Sequence, residues 1–164
     1  MTPTEQQATL RALIADDDDS VRFMLQAALE RDGFEVVSVM NVTEALSRIA
    51  NEKFDVLLSD LHMPHAGDGF TVVTAMRHTH PNAVTLVLSG YPALEEGLAV
   101  IRLQADEVLC KPIEIASLRK LIHEKLEHPR THRPVPTESV ADILEHDLDA
   151  TIQYWMALVR RTPS

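Results

Sequence analysis

Residues 13–20 read LIADDDDS, a short apolar run closed by four consecutive aspartates and a serine. Two like charges ~4 Å apart repel by ~1 kcal/mol in bulk water and by ~4 kcal/mol at an effective dielectric of ~20. Such a cluster therefore needs open solvent or a cation. A helix beginning near Ser20 would use Asp18 or Asp19 as its cap. That leaves Asp16 and Asp17, which sit directly on the end of the apolar run, without a structural reason.

Working outward, the run is the first of five. ALIA (12–15), FEVVSV (34–39), FDVLLS (54–59), AVTLVLS (83–89) and DEVLC (106–110) are strand-length and rich in Val, Leu and Ile. Segments with helical spacing separate them. Val21, Met24, Leu25, Ala28 and Leu29 form one stripe, and Val42, Ala45, Leu46 and Ile49 a second. Phe70, Val73 and Met76 form a third, Leu94, Leu98 and Ile101 a fourth, and Leu118, Leu121, Ile122 and Leu126 a fifth.

Five repeats of strand then helix require parallel strands joined by crossovers. The expected architecture is a flavodoxin-like, doubly wound α/β fold: a five-stranded parallel sheet flanked by five helices. The first, third and fourth strands are the most continuously apolar, as strands covered on both faces should be. The second and fifth carry Glu35, Ser38, Asp106 and Glu107, which suits edges. A strand order of 2-1-3-4-5 satisfies this pattern and places a site beyond the carboxyl ends of the strands.

After Leu126 the character changes. Residues 10–127 read as one domain, and 128–137, with Pro129, Pro134 and Pro136, as a stiff linker. Residues 138–164 read as an amphipathic helix carrying Ile143, Leu144, Leu148, Ile152, Trp155, Met156 and Val159 on one side. That helix is expected to be a dimerisation element, a cap folded back on the domain or the start of a truncated output domain, with contact to another chain favoured.

The chain has 164 residues and a formal net charge of −10, which argues against direct affinity for nucleic acid or an anionic membrane. A single cysteine, Cys110, excludes an internal disulfide framework. The opening MTPTEQQATLR lacks the apolar core of a signal peptide, and no apolar stretch reaches membrane-spanning length, so a cytoplasmic location is expected. Eight histidines, several in pairs such as His62 and His65, read as solvated side chains rather than a structural metal site.

Parallel strands deliver their ends to one edge. The first ends in Asp16 and Asp17, the third in Asp60, the fourth in Ser89, and the fifth delivers Lys111. Three carboxylates, a hydroxyl and an ammonium in one cleft suit Mg²⁺ together with a phosphoryl group. Asp16 and Asp17 would hold the ion while Asp60 acts as nucleophile, and Lys111 and Ser89 would meet the phosphoryl oxygens.

In this order and spacing, LIADDDDSVR, VLLSDLHMP, VLSGY and VLCKPIE resemble the receiver domain of bacterial two-component response regulators. The resemblance implies that Asp60 accepts a phosphoryl group from a phosphohistidine on a sensor histidine kinase or a histidine phosphotransfer protein. It also implies that Asp16, Asp17 and Asp60 bind Mg²⁺ with the backbone carbonyl of His62, that Ser89 and Lys111 read the phosphorylation, and that the Lys111–Pro112 bond is cis. The output would be a switched contact with a downstream protein, with no catalysis beyond self-phosphorylation and autodephosphorylation. Departures are Val108, where the family usually has an aromatic, and a loop HMPHAGDGF one residue longer than the common form. His62 and Tyr91 occupy positions that tune phosphoryl lifetime in the family. The alternatives are a Mg²⁺-dependent phosphohydrolase with an aspartyl-phosphate intermediate and a receiver-like scaffold that is never phosphorylated.

Overall fold

The computed structural model describes residues 8–65, 68–90 and 105–129. Strands β1 (Arg11–Ala15), β2 (Glu35–Val39), β3 (Val56–Asp60), β4 (Val84–Ser89) and β5 (Glu107–Cys110) form one parallel sheet in the order 2-1-3-4-5. The helices are α1 (Asp19–Arg31), α2 (Val42–Asn51), α3 (Asp68–Thr79) and α4 (Ile115–Glu127). The fourth apolar stripe, within 91–104, and the C-terminal segment, from residue 130, lie outside the described residues. The helix labelled α4 is therefore the one read from the fifth stripe.

Strand alternation divides the core in two. Leu13, Leu57 and Val87 face one side and pack with Ala45 and Ile49 of α2 and Val72, Val73 and Met76 of α3. Their neighbours Ile14, Leu58, Leu86 and Leu88 face the other side and pack with Leu25 and Leu29 of α1 and Leu118 and Ile122 of α4. Strands β3 and β4 are buried along their whole length, whereas β2 and β5 are partly exposed. Each fully buried leucine contributes about 1.5–3 kcal/mol relative to exposure, which is why the three inner strands carry the longest apolar runs.

Helix α1 enters through Asp18, whose Oδ1 accepts from the backbone N–H of Ser20 at 2.8 Å and Val21 at 3.1 Å. It leaves through Gly33 at φ +87°, a conformation that glycine adopts without strain. There the Phe34 N–H donates to Leu29 and the Gly33 N–H to Glu30, and the buried Phe34 closes the turn. The chain thus reverses in three residues from α1 into β2.

Asp106 departs from the edge role expected of it. Strand β5 does lie at the sheet edge, but the Asp106 side chain is only 7% exposed. Its Oδ2 accepts from the Thr85 N–H at 2.7 Å and lies 3.3 Å from Arg77 Nη2. A polar residue at the entry to an edge strand can point inward when a cation from the covering helix meets it, and only the packing of α3 reveals that.

Candidate phosphoacceptor site

The register that pairs β1 with β3 aligns Ala15 with Ser59, so the next positions, Asp16 and Asp60, stand side by side on the face that carries Ile14 and Leu58. The pairing of β4 with β5 aligns Leu88 with Leu109, both packed on that face. Lys111, two residues beyond Leu109, continues that alternation. Three separate segments thus aim their side chains into one pocket at the carboxyl edge.

Lys111 Nζ donates to Asp16 Oδ2 at 2.8 Å and to Asp60 Oδ2 at 3.1 Å. The Lys111 side chain is about a quarter exposed, Asp60 is nearly buried and Asp16 wholly so. The second oxygens of the two acids meet backbone amides: Asp16 Oδ1 accepts from the Asp18 N–H at 2.9 Å, and Asp60 Oδ1 from the His62 N–H at 3.2 Å. Asp17 is exposed, yet one of its carboxylate oxygens lies within 4.8 Å of oxygens from Asp16 and Asp60.

Electrostatics follow from this layout. Burial pushes the Asp16 carboxyl above its ordinary value, against the opposing pull of the Lys111 ammonium and the Asp18 amide. For Lys111 burial acts to lower the pKa, but hydrogen bonding and attraction from Asp16 and then Asp60 outweigh it and hold the ammonium above its usual range. Three carboxylates against one ammonium leave an excess of negative charge. An all-oxygen donor set with such an excess fits a hard divalent cation such as Mg²⁺, and Asp16, Asp17 and Asp60 are the residues that would hold it.

Ser89, the last residue of β4, is 1% exposed, and its carbonyl accepts from the Lys111 N–H at 2.7 Å. The backbone that carries Lys111 is thereby tied to β4. The Lys111–Pro112 bond is cis, and so is Met63–Pro64 in the loop after β3. Val108 is half-buried beside the core of the α2 and α3 face. Tyr91 lies outside the described residues.

Sequence reasoning missed several contributors. Gly69, on the first turn of α3, sits so close to β3 that an added Cβ would fall 2.0 Å from the Asp60 carbonyl oxygen. Its N–H donates to Leu61 at 3.2 Å, fixing α3 against the strand end that carries Asp60. Arg22 donates through Nη1 to the Asp16 carbonyl at 2.6 Å and pairs with Asp19. A glycine beside an acid at a helix start was the available signal for the first; nothing in the sequence marks the second.

A profile of the response regulator receiver domain matches residues 12–123. The chain belongs to the response regulator receiver family. Response regulator protein PilR of Pseudomonas aeruginosa is 30% identical over 132 residues, which are 80% of this chain and 29% of PilR. Transcriptional regulatory protein PrrA of Mycobacterium tuberculosis is 34% identical over 108 residues, 66% of this chain and 46% of PrrA. This receiver chain thus spans less than half the length of these curated relatives. Among solved structures, a CheY-like receiver from Methanospirillum hungatei aligns with TM-score 0.66 and 29% identity over 73% of this chain and 95% of that one. The regulator TrrA of Thermotoga maritima, in complex with Mg²⁺ and BeF, aligns with TM-score 0.62 and 25% identity over 71% of this chain and 98% of that one. The fold is the CheY-like receiver fold, and the chain carries a receiver domain of two-component response regulators. Among the described residues no helix is long and apolar enough to cross a membrane.

Proposed function

We propose that Asp60 accepts a phosphoryl group from the phosphohistidine of a sensor histidine kinase or a histidine phosphotransfer protein. The bond from imidazole nitrogen to phosphorus breaks as an Asp60 carboxylate oxygen bonds to phosphorus, and the leaving imidazole keeps the electron pair. The observation that carries this reading is the Lys111 ammonium held between Asp16 and Asp60, at 2.8 and 3.1 Å, on the rim of a three-carboxylate cluster. An acid surrounded by other acids is a poor partner for a phosphate dianion unless cations stand beside it. Mg²⁺, when bound by Asp16, Asp17, Asp60 and the His62 carbonyl, would neutralise charge on the phosphoryl oxygens. Lys111 supplies the second positive charge from the chain itself. Ser89, at the neighbouring strand end, would hydrogen-bond a phosphoryl oxygen and carry the change of state to the segment that follows β4.

Residues 10–127 would then form the receiver, 128–137 a linker and 138–164 a helical appendage. The chemistry is self-phosphorylation and slow autodephosphorylation, and the location is cytoplasmic. A downstream protein is the expected reader of the phosphorylated state. Because PrrA is a transcriptional regulatory protein, an output directed at transcription stands beside it as a second reading.

A small-molecule phosphodonor with Mg²⁺, followed by intact-mass spectrometry, tests the proposal. One phosphoryl group is expected on the wild type and none on Asp60→Asn or without Mg²⁺. Equal labelling of both proteins, or of neither, would leave an unswitched scaffold, and sustained turnover of phosphate esters would make it a phosphohydrolase.

A further inference from the structure

Four aspartates in a row, Asp16 to Asp19, open the turn into α1, yet only Asp16 and Asp17 stand in the acidic cluster with Asp60. The other two are engaged away from it. Asp18 Oδ1 caps α1 on the N–H groups of Ser20 and Val21, and the Asp19 carboxylate pairs with Arg22 one turn along the helix. Arg22 thus meets this run from the helix side, as Lys111 meets it from the strand side. Its side chain is only 15% exposed, although Asp17 to Ser20 around it are all exposed.

The guanidinium makes two contacts. Nη2 donates to the Asp19 carboxylate, and Nη1 reaches back over the turn and donates to the Asp16 carbonyl at 2.6 Å. The second contact bears on Asp17. The Asp16 carbonyl belongs to the peptide group that precedes Asp17, and the Asp18 N–H belongs to the one that follows it. Arg22 holds the first, and Asp16 Oδ1 holds the second at 2.9 Å. With both flanking peptide planes tied, the backbone of Asp17 has little freedom. Its carboxylate is exposed and still keeps an oxygen within 4.8 Å of oxygens from Asp16 and Asp60.

We propose, on the reading of Asp16, Asp17 and Asp60 as metal ligands, that Arg22 is a positioning residue for the candidate Mg²⁺ site. The fork that bridges the Asp16 carbonyl and the Asp19 carboxylate fixes the turn that presents Asp17, and affinity for the ion depends on it. Charge and positioning act in opposite directions here. A guanidinium beside a cation site repels the incoming ion, so by charge alone its removal would tighten Mg²⁺ binding. Positioning weakens binding when Arg22 is lost, because the ion must then order Asp17 itself. Arg and Lys also differ, since a single ammonium lacks the planar fork that spans a carbonyl and a carboxylate together.

A Mg²⁺ titration of the full chain, followed by the NMR shifts of its backbone amides, gives the dissociation constant of the folded protein and tests the role of Arg22. Arg22→Met is expected to raise that constant about tenfold, as loss of a group that orients a metal ligand does. It should also displace the metal-free signals of residues 16–19 while the other strands and helices stay native. Arg22→Lys is expected to fall between Arg22→Met and the wild type, and it carries the test if Arg22→Met does not fold. A merely structural role would lower the Tm and leave the constant where it was. Wild-type or tighter binding in either variant would overturn the proposal, and a wild type that binds no Mg²⁺ would overturn the metal reading along with it. The titration needs no phosphodonor, so its outcome is separate from the labelling of Asp60.

Discussion

Both ends of the sheet carry charge, and they treat it in opposite ways. At the amino end, Arg11 opens β1 and reaches Glu35 at 3.0 Å and Glu52 at 2.7 Å, while its guanidinium lies 4.9 Å from the centre of the Phe54 ring. Arg77 and Thr85 meet Asp106 in the same layer. At the carboxyl end one lysine stands among three carboxylates. The first arrangement satisfies charge inside the chain and serves packing. The second leaves a negative excess among the described residues, and the proposed phosphoacceptor role rests on that imbalance.

The largest effect should come from closing the space that aims the acidic end. Gly69→Ala would force a Cβ to 2.0 Å from the Asp60 carbonyl, so α3 or β3 must shift. A loss of about 3 kcal/mol or more in urea unfolding is expected, together with reduced phosphoryl uptake. Next, Arg77→Met leaves Asp106 buried without its guanidinium, and removing one partner of such a pair costs about 3 kcal/mol. Phosphoryl uptake per folded molecule should be unchanged, because the lesion is at the amino end. If uptake fell in step with stability, the two ends would not be separable.

Mg²⁺ should act only at the carboxyl end. At a hundredfold excess over its dissociation constant it should raise the unfolding free energy by about 2.7 kcal/mol, seen as a higher Tm. Asp17→Asn should abolish that gain while changing the stability without Mg²⁺ by about 0.5 kcal/mol or less, since Asp17 is exposed.

The smallest effect is a pH dependence of opposite sign in two acids. Asp32, bonded to Arg119 and facing His123, has its pKa lowered, chiefly by the Arg119 hydrogen bond. Its stabilisation is complete above 3.8 and lost as pH falls through the depressed value. Asp32→Asn should cost about 1 kcal/mol at neutral pH, because Arg119 is half exposed and screened. Asp16 has its pKa raised by burial, so its ionisation removes stability as pH climbs from 3.8 through the raised value. Equilibrium unfolding between about pH 3 and 7, without Mg²⁺, should show the Asp32 contribution disappear in Asp32→Asn.

Much of this was legible before any coordinates. Asp16, Asp60 and Lys111 follow apolar runs, and a parallel sheet must bring such ends to one edge. The acids before Ser20 announce the start of α1, with Asp18 or Asp19 as its cap, and the structure assigns the cap to Asp18. What was not legible depends on distance through space. Asp106 reads as an edge acid until Arg77, 29 residues away, is seen to meet it. Gly69 reads as a loop glycine until α3 is packed on β3. The His62 amide on Asp60 depends on the turn of the backbone after the strand, which side-chain patterns do not encode.

Sequence by itself determined the layer order, the strands that would be buried and the acids that would share an edge, because period-two and period-3.6 patterns are local records of which face is covered. Only the tertiary structure decided which oxygens Lys111 holds, how far Asp17 stands from them and which polar groups are spent on packing. Hydrogen bonds and ion pairs act over about 3 Å, and that precision comes from register and helix packing across the whole domain.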